Sequence, residues 1–502
     1  MNVLDAIAWR VRKLVGDQIV DNAIVKFAHC WRPLLKKPAF IGITGSAGKT
    51  TTKELLVGIL SYTYKGIGNL NSLNVLPEVA KTVLSTRLTH DFCVAELSED
   101  RPGIMDEHLR LLHPSIGIVT VVGNDHWSAY NSREAIAAEM GKLIEALPSS
   151  GTAVLNADDA LVHGMAANCA ANVITYGTSA KADLRAEDVR SVWPERLSMT
   201  LVHGAERVAI CTQLCGTHWL PSVLGAIGGG LAMGMTLEQC AAGIASVAPF
   251  EGRMQPVTTP DGVTFIRDDF KAPLWTLDAC FDFMRRAHAK RKIIVIGTLS
   301  ECGANSGKKY AQVASRAQEI ADHTIFVGPR ATHALKAGTL GTGDSLRAFN
   351  HVRDASQYVN SLTREGDLVM LKGSSKQDHL LRVFLARGEG AVCWRDDCKR
   401  TMFCNECSDL MKPSGAPLLR HQGNTETAPI DLSSGVLTGN TTEQVIIGLG
   451  NPEPQYAGTP HNIGYQVVDH LAASLELTWI SMSEAWIAHG ESGGQSICLV
   501  KI

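Results

Sequence analysis

The 502-residue chain lacks an excess of either charge, because 47 lysines and arginines nearly balance 50 aspartates and glutamates and leave a formal net charge of −3. A protein that binds nucleic acid over a broad surface usually carries excess positive charge, so the composition gives no sign of such a surface. The chain also lacks an apolar run long enough to cross a membrane and a signal peptide with a small-residue cleavage site. We therefore expect a cytoplasmic protein with no membrane span.

Cysteine is plentiful, with 13 in the chain, but it lacks the regular spacing of a disulfide framework. The cysteines are scattered, apart from one group near position 400. This distribution predicts reduced thiols and one candidate metal site in a reducing compartment. At about 150 residues per domain, the length predicts three or four folded units.

The most informative stretch is a glycine-bracketed turn between a predicted buried strand, 38–44, and a predicted helix, 51–60. It has the pattern G-x-x-x-x-x-G-K-T from Gly42 onward. Small residues let the backbone approach a phosphate chain, and the helix N-terminus adds partial positive charge. Lysine can reach the terminal phosphates, and a threonine hydroxyl can bind Mg²⁺. The sequence therefore predicts a P-loop for a nucleoside triphosphate, formed by Gly45, Ser46, Ala47, Gly48, Lys49, Thr50 and Thr51.

Strands and helices alternate over residues 38–250, which predicts a mostly parallel sheet covered on both faces. The apolar strand 92–97 carries Glu96, and ligands bind at the carboxyl edge of such sheets. Glu96 is a candidate Mg²⁺ ligand, with a structural carboxylate as the alternative. The strand 116–122 is followed by His126, which is either a metal or phosphate contact or a loop histidine.

Two further segments flank residues 38–250. Residues 251–388 predict a smaller α/β domain. Asp268 and Asp269 end its first strand and either contact ribose or adenine or lie in a surface turn. Residues 1–37 predict a short amphipathic helix that packs on the next domain or touches a membrane surface. The strands of the smaller domain are predicted at 262–267, 292–297, 324–328 and 367–371.

A series of short motifs then follows the order found in Mur ligases, over about residues 38–388. The motifs are TGSAGKTTTKE at 44–54, GNLN at 68–71, AEL at 95–97, His126, LNADD at 155–159, GTH at 216–218, FEGR at 250–253, DDF at 268–270, VIG at 295–297 and LKGS at 371–374. The chain resembles this family, and within it the MurF branch. The resemblance implies ATP-dependent amide-bond formation, in which a carboxylate attacks the γ-phosphate and an amine then attacks the acyl phosphate.

The resemblance also implies roles for the matching residues. The transferring phosphoryl group needs cations around its oxygens. Lys49, Mg²⁺ on Thr50 and Glu96, His126 and Arg253 would supply them. The nucleotide contacts outside the P-loop would be His218, Asp268 and Asp269. The substrate contacts would be Asn69, Asn71, Glu301, Lys372 and Ser374.

Four features depart from the family pattern. The carbamylated lysine that holds a second Mg²⁺ in the family is matched by Met140, whose thioether cannot replace a carbamate. Lys142 lies two residues on, about 200° around a helix. Trp219 and Ser222 stand where asparagines are expected, the loop 270–273 lacks the usual polar residues, and 37 N-terminal residues are too few for the UDP-sugar domain of the MurF branch. The fold assignment stands, and the cell-wall substrate stays open.

Four cysteines lie within fifteen residues, the last pair as C-x-x-C. Four thiolates suit tetrahedral Zn²⁺ with no open position, which predicts a structural zinc knuckle over 389–411. A redox pair or unliganded thiols are the alternatives. Residues 412–442 are rich in Pro, Gly, Ser, Thr and Asn and predict a linker. The candidate zinc ligands are Cys393, Cys398, Cys404 and Cys407.

Residues 443–502 differ in character, because an apolar strand runs into a turn at Asn451 and His461 precedes a helical segment. This segment resembles the start of bacterial peptidyl-tRNA hydrolase. The resemblance implies that the histidine is the general base and that the asparagine positions the substrate. The aspartate that orients the base in that family would lie beyond Ile502, and Pro460 replaces an expected arginine. We therefore expect an incomplete, inactive module, and tRNA as a partner only if the module is completed.

Three functions are compatible with these observations. The first is an ATP-dependent amide ligase that joins small-molecule or peptide carboxylates and amines. The second is a bifunctional ligase and hydrolase acting on aminoacyl- or peptidyl-tRNA. The third is a nucleotide-binding pseudoenzyme, with which Met140, Trp219 and Ser222 are compatible. The predicted fold class is α/β, with a P-loop central domain of mostly parallel sheet, a smaller Rossmann-like domain, a four-cysteine zinc knuckle and a partial hydrolase module.

Overall fold

The computed structural model describes residues 17–69, 73–123, 127–300, 305–338, 345–388, 393–395, 398, 400, 402–407, 410, 444–448, 462–475, 477–481, 486–492 and 495–501. The chain divides into two compact units, residues 1–420 and 421–502. The predicted α/β class is confirmed in its general form, because helices cover sheets that are rich in parallel strands.

The first sheet of the larger unit has nine strands in the order β2-β3-β1-β4-β5-β6-β7-β8-β9. The strands are β1 (Ala39–Thr44), β2 (Gly66–Gly68), β3 (Phe92–Glu96), β4 (Ile116–Val119), β5 (Thr152–Asn156), β6 (Asn172–Gly177), β7 (Leu184–Arg190), β8 (Ser198–His203) and β9 (Glu206–Cys211). Pairings from β2 to β7 are parallel, as the sequence predicts. The antiparallel ribbon β7-β8-β9 extends the sheet and was not predicted.

Helices cover both faces of this sheet. They are α1 (Asp17–Trp31), α2 (Lys49–Ser61), α3 (Leu76–Ser85), α4 (Ile104–Leu112), α5 (Trp127–Tyr130), α6 (Arg133–Glu145), α7 (Ala160–Gly164), α8 (Leu220–Ala232) and α9 (Leu237–Ala245). Along β1, Phe40 packs into the core on one face, and Ile41 and Ile43 pack into the core on the other. A strand buried on both faces requires a continuous apolar run, which is why β1 is recognisable in the sequence.

The N-terminal helix α1 packs on the same domain. Ala28 is fully buried in the core, and the indole N–H of Trp31 donates to the carbonyl of Thr86 at 3.1 Å. These contacts agree with the packing interpretation. The apolar positions that carried this prediction, Leu4 to Val15, lie outside the described residues.

The second sheet has six strands in the order β10-β11-β15-β12-β13-β14, and only the β10–β11 pairing is antiparallel. The strands are β10 (Gln255–Thr258), β11 (Thr264–Asp268), β12 (Arg291–Ile296), β13 (His323–Val327), β14 (Leu346–Phe349) and β15 (Asp367–Lys372). The helices are α10 (Leu277–Arg286), α11 (Ser306–Gln318), α12 (Val352–Leu362) and α13 (Leu381–Gly388). Parallel order places the carboxyl ends of β11, β12 and β15 side by side, where ligands bind in such folds.

The smaller unit contains a four-stranded sheet in the order β16-β19-β18-β17, with one parallel pairing between β16 and β19. Its elements are β16 (Gln444–Gly448), α14 (Ile463–Ser474), β17 (Ile480–Ser481), β18 (Trp486–Ser492) and β19 (Gln495–Lys501). Helix α14 begins three residues before the predicted start at 466. The boundaries predicted for the individual domains stay predictions.

Candidate active site

The turn between β1 and α2 has the geometry of a phosphate cradle. Gly45 and Gly48 have φ angles of +140° and +80°, which favour glycine. A Cβ on Gly45 would lie 2.0 Å from Thr120 Oγ1, and one on Gly48 would lie 2.5 Å from Ser222 Oγ. Helix α2 begins after Gly48 with no side-chain cap, and the partial positive charge at this helix N-terminus favours an anion.

The P-loop lysine is held within the cradle. Lys49 Nζ lies 2.6 Å from the carbonyl oxygen of Gly45 and 2.5 Å from Glu99 Oε1. The Glu99 side chain is fully buried, and its Oε2 accepts a hydrogen bond from the Thr44 hydroxyl at 3.3 Å. Sequence reasoning missed Glu99, although a second carboxylate three residues after Glu96 was a visible signal.

Glu96 ends β3 beside the cradle, as predicted. Its Oε1 accepts from Asn74 Nδ2 at 3.0 Å, and its backbone N–H donates to Asn69 Oδ1 at 2.9 Å. Asn69, which we expected to contact substrate, therefore ties the preceding loop to β3. The other carboxylate oxygen, Glu96 Oε2, is buried and has no hydrogen-bond partner among the described residues.

Two hydroxyl groups of the P-loop and helix α2 also lack a hydrogen-bond partner among the described residues. Within the described residues, Ser46 Oγ and Thr51 Oγ1 are buried without a hydrogen-bond partner. A buried carboxylate oxygen and nearby hydroxyls are the donor set that Mg²⁺ prefers. The residues present therefore fit a magnesium ion at the P-loop, with Glu96 as the acidic ligand.

Arg253 connects this region with the second sheet. Burial lowers the pKa of the Arg253 guanidinium, and the negative charges of Asp268, Glu96 and Glu54 oppose that shift. The guanidinium lies 4.5 Å from the centre of the Phe270 ring. The half-buried Arg253 thus lies within electrostatic reach of the candidate metal ligand and of Asp268.

Asp268 and Lys372 end the adjacent strands β11 and β15 and are register partners. Lys372 Nζ lies 2.8 Å from Asp268 Oδ2, which also accepts from Cys280 Sγ at 3.1 Å. Burial alone would raise the pKa of Asp268, but the positive charge of Lys372 holds it below its usual value. The residues expected to contact nucleotide and substrate separately therefore form one ion pair.

Asp269 has a different environment. Its side chain is 2% exposed and lies 3.4 Å from Arg267 Nη2, and burial raises the pKa of its carboxyl group. Arg267 also contacts Glu251 and Gln255, each at 3.2 Å. The alternative of a plain surface turn is wrong for Asp269, because its carboxyl group is buried in a polar network.

His218 and the two substituted positions lie where the two sheets meet. Burial lowers the pKa of His218 to about 4, and its ring centre lies 4.6 Å from that of Trp219. Trp219 packs against the cores of both sheets. Ser222 Oγ donates to the carbonyl oxygen of Gly48 at 3.4 Å, so it packs directly on the P-loop.

Ser374 follows β15 and belongs to a cradle that the sequence did not reveal. Its backbone N–H donates to Asp378 Oδ1 at 2.8 Å, and the N–H of Thr298 donates to Asp378 Oδ2. Burial raises the pKa of Asp378 to about 7. A Cβ on Gly297 or Gly373 would lie 2.1 Å or 2.7 Å from this carboxylate, so both strand ends require glycine.

Met140 and Lys142 confirm the departure from the second-metal pattern. Met140 is fully buried in the core beneath the first sheet. Lys142 Nζ pairs with Asp106 at 2.8 Å and with Glu139 at 2.9 Å. Neither side chain supplies a carbamate ligand. The remaining predicted site residues lie outside the described residues: Asn71, His126, Glu301, Asn451 and His461.

The predicted zinc knuckle is not shown. In the described part of the chain, no group of three or more His, Cys, Asp or Glu side chains has an arrangement that could hold a metal ion. All four cysteines nevertheless line one cavity together with His379. Trp394 and Phe403 pack in the same small core as Cys404. The described residues of this segment therefore pack around the four cysteines.

The four-cysteine segment also contacts the region next to Arg253. Asn405 Nδ2 donates to Glu251 Oε1 at 2.8 Å. The Phe403 ring centre lies 5.9 Å from that of Phe270. A Cβ on Gly252 would lie 2.8 Å from the tip of the Phe403 ring, which explains the glycine there.

Family models match three parts of the sequence. The Mur ligase middle domain matches residues 43–229, and the Mur ligase glutamate ligase domain matches residues 252–375. Peptidyl-tRNA hydrolase matches residues 445–502.

No helix in the described residues is long and apolar enough to span a bilayer.

Two curated relatives carry the name UDP-N-acetylmuramoyl-tripeptide–D-alanyl-D-alanine ligase. The protein of Mycobacterium tuberculosis is 30% identical over 357 residues, which covers 67% of this chain and 70% of the relative. The protein of Escherichia coli is 25% identical over 360 residues, which covers 70% and 77%.

Solved structures share the fold. MurF from Acinetobacter baumannii superimposes with a TM-score of 0.68 at 22% identity, covering 73% of this chain and 80% of the other. MurF from Thermotoga maritima in complex with ADP gives 0.61 at 18% identity, covering 71% and 80%. Together with the P-loop, Glu96 and the paired domains, these similarities show that the chain belongs to the Mur ligase family of ATP-dependent amide ligases, with a peptidyl-tRNA hydrolase-like segment at residues 445–502.

Proposed function

We propose that this chain joins a peptide carboxylate to an amine at the site formed by the P-loop, Glu96 and Arg253. The observation that carries the proposal is the buried oxygen of Glu96, which has no hydrogen-bond partner among the described residues and lies within electrostatic reach of the half-buried Arg253. A carboxylate oxygen attacks the γ-phosphorus of ATP and ADP leaves. The amine then attacks the acyl carbon, inorganic phosphate leaves, and the nitrogen loses a proton.

Each proposed role follows from charge. The N–H groups at the start of α2 and the lysine of the P-loop hold the phosphate oxygens. Glu96, with Thr50 or Thr51, would hold Mg²⁺, which neutralises charge on the phosphates when it is bound. Arg253 stabilises the negative charge that develops on the transferred group. The Lys372 ammonium group is held in place by its ion pair with Asp268, and both residues lie at the carboxyl ends of β11 and β15.

The substrate proposal comes from the relatives. Their name describes the joining of a UDP-N-acetylmuramoyl-tripeptide to D-alanyl-D-alanine. We propose the same chemical class here, a peptide with a free carboxylate and a dipeptide amine. His218 and Ser374 stay proposed contacts of nucleotide and substrate, respectively.

The test is acceptor-dependent release of ADP and phosphate, with the amide product identified by mass spectrometry. Lys49→Ala should abolish turnover, because the phosphates lose their lysine. Lys81→Ala is the matched control, since Lys81 lies on the surface and pairs with Glu78. Tight ATP binding without turnover for every carboxylate and amine tried would instead support the nucleotide-binding scaffold.

We also propose a structural zinc ion at the four cysteines. Arg382 Nε lies 3.3 Å from Cys404 Sγ, and Arg400 Nη1 lies 3.4 Å from Cys407 Sγ. Burial raises the pKa of the Cys404 thiol and the positive charge of Arg382 opposes that rise, so Zn²⁺ would supply the further positive charge that a buried thiolate needs. Metal analysis of the full chain should find about one zinc ion per molecule. Cys398→Ser should lose it, and Cys211→Ser, at an exposed cysteine, should not. A zinc-free wild-type chain would leave only reduced thiols.

A second function is favoured by the hydrolase-like segment. We propose that, in a chain that also contains the orienting aspartate, His461 activates water against the ester of peptidyl-tRNA, and that Asn451 positions the ester. The measurement is release of peptide from peptidyl-tRNA by a chain that contains this aspartate, compared with its His461→Ala variant. Hydrolysis that persists in this variant would exclude the histidine as the base.

A further inference from the structure

We infer that Glu99 is an additional magnesium ligand of the P-loop site and makes nucleotide binding dependent on the metal. This inference rests on the proposed function, because it assumes that the cradle holds a nucleotide phosphate chain. The observation behind it is the buried pair between the Glu99 carboxylate and Lys49, with 2.5 Å between Oε1 and Nζ.

The position of Glu99 is fixed by the sheet. The backbone N–H of Leu97 donates to the carbonyl oxygen of Ile43 at 2.8 Å, so the chain after β3 continues alongside β1. Thr44, the last residue of β1, donates its hydroxyl to Glu99 Oε2. The carboxylate therefore lies where β1 enters the P-loop, next to the lysine that must reach the phosphates.

Nucleotide binding changes the charge around Glu99. Lys49 must turn from the Glu99 carboxylate toward the phosphate oxygens. The carboxylate and the phosphates, which are both negative, then lie next to each other. Breaking the ion pair between a fully buried carboxylate and Lys49 next to a phosphate chain is costly, and a second cation that approaches the carboxylate offsets that cost. Mg²⁺ is the cation that accompanies nucleotide phosphates and prefers carboxylate oxygens.

A second, independent observation indicates a cation at this place. Glu96 Oε2 is buried without a partner among the described residues, and Ser46 Oγ and Thr51 Oγ1 share that condition. Glu96 ends β3 three residues before Glu99, and Ser46 and Thr51 belong to the turn and helix that follow the neighbouring strand β1. Two carboxylates and hydroxyl groups together form a set of oxygen donors for a hard cation.

The first experiment measures ADP binding by calorimetry, with Mg²⁺ and with EDTA. Wild type should bind ADP far more tightly with Mg²⁺. Glu99→Gln should bind metal-free ADP more tightly than wild type does. The ratio of the ADP dissociation constant in EDTA to that in Mg²⁺ should therefore be about tenfold smaller in the variant, as expected for one charged contact. Asp100→Asn, at the exposed neighbouring position, is the control and should keep the wild-type ratio.

The second experiment removes the lysine and uses Mn²⁺ as the probe, measured by electron paramagnetic resonance without nucleotide. Lys49→Met takes the ammonium group away from Glu99, so Mn²⁺ should bind about tenfold more tightly than to wild type. The double variant Lys49→Met/Glu99→Gln should lose that gain. The double variant removes both charges of the buried ion pair, so the test stays valid if Glu99→Gln alone fails to fold.

The outcomes are distinct. An unchanged ratio of dissociation constants in Glu99→Gln, or equal Mn²⁺ affinity in the single and double lysine variants, would show that Glu99 only anchors Lys49 and would overturn the inference. A wild-type chain that binds no nucleotide under any condition would instead contradict the proposed function itself.

Discussion

Lys372 and Asp268 end neighbouring parallel strands, and the ammonium nitrogen of one lies 2.8 Å from a carboxylate oxygen of the other. The Lys372 side chain is 4% exposed and that of Asp268 is 14% exposed. Burial would favour the neutral form of each group, yet the pKa of Lys372 is raised by the charge of Asp268. The pair is therefore charged and holds β11 and β15 together at their carboxyl ends.

Removing one member of this pair should destabilise the ligase unit. Asp268→Asn leaves a buried ammonium group without its partner, which costs about 3 kcal/mol of unfolding free energy. The double variant Asp268→Asn/Lys372→Met should recover part of that loss, because no charge is left unpaired. Chemical denaturation of the three proteins measures the coupling.

The control for this prediction is the exposed pair of Arg286 and Asp282, at 3.2 Å. Asp282→Asn should cost less than about 1 kcal/mol, as surface ion pairs do. Equal losses for the buried and the exposed aspartate would contradict the role given to the buried pair.

Met140→Lys should not raise ligase activity. The side chain of Met140 is enclosed by the apolar core beneath the first sheet, so a lysine there meets no partner and should destabilise the fold by several kcal/mol. Activity assays and denaturation midpoints measure the two effects. Met140→Leu, which keeps the volume, should cost less than about 1.5 kcal/mol. A large gain of activity in Met140→Lys would show that the position still faces the metal site.

The P-loop was predictable because its determinants are local. The apolar run of β1, two glycines at positive φ and the start of α2 lie within twenty-three residues, from Ala39 to Ser61. Glu96 was predictable for the same reason, since a carboxylate at the end of an apolar strand needs a polar environment.

Contacts across the sheet were not predictable in this way. Glu99 reaches Lys49 only because β1 and β3 are neighbours, although 50 residues separate them. Asp378 lies between two strand ends from different parts of the chain, and a single aspartate after a turn gives no signal of that. The antiparallel ribbon β7-β8-β9 was missed because alternating polarity in short strands is a weak signal.

His218 predicts a pH dependence of stability. Burial lowers its pKa to about 4, whereas the unfolded chain has a pKa of about 6.5. The neutral ring is therefore favoured by folding, and its stabilisation is complete above the unfolded pKa and is lost as the pH falls from about 6.5 to 4. Denaturation midpoints of wild type and His218→Asn should converge in that range.

The control is His163→Asn, at an exposed histidine of α7. This variant should lose stability with falling pH as steeply as wild type does. If His218→Asn loses stability with falling pH as steeply as wild type does, the pKa of His218 is the same in the folded and unfolded chain, and the prediction is wrong.

Phe403→Ala should weaken the contact between the four-cysteine segment and the ligase site. The ring packs near Gly252 and Phe270 and lies 5.4 Å from the Arg267 guanidinium carbon. Loss of a half-buried aromatic ring with these contacts should cost about 2 kcal/mol. Because Gly252 precedes Arg253, we also expect turnover to fall more than ADP affinity does. Met402→Ala, at an exposed neighbour, should change neither quantity. If Phe403→Ala lowers stability but leaves turnover unchanged, the segment supports the fold without positioning Arg253.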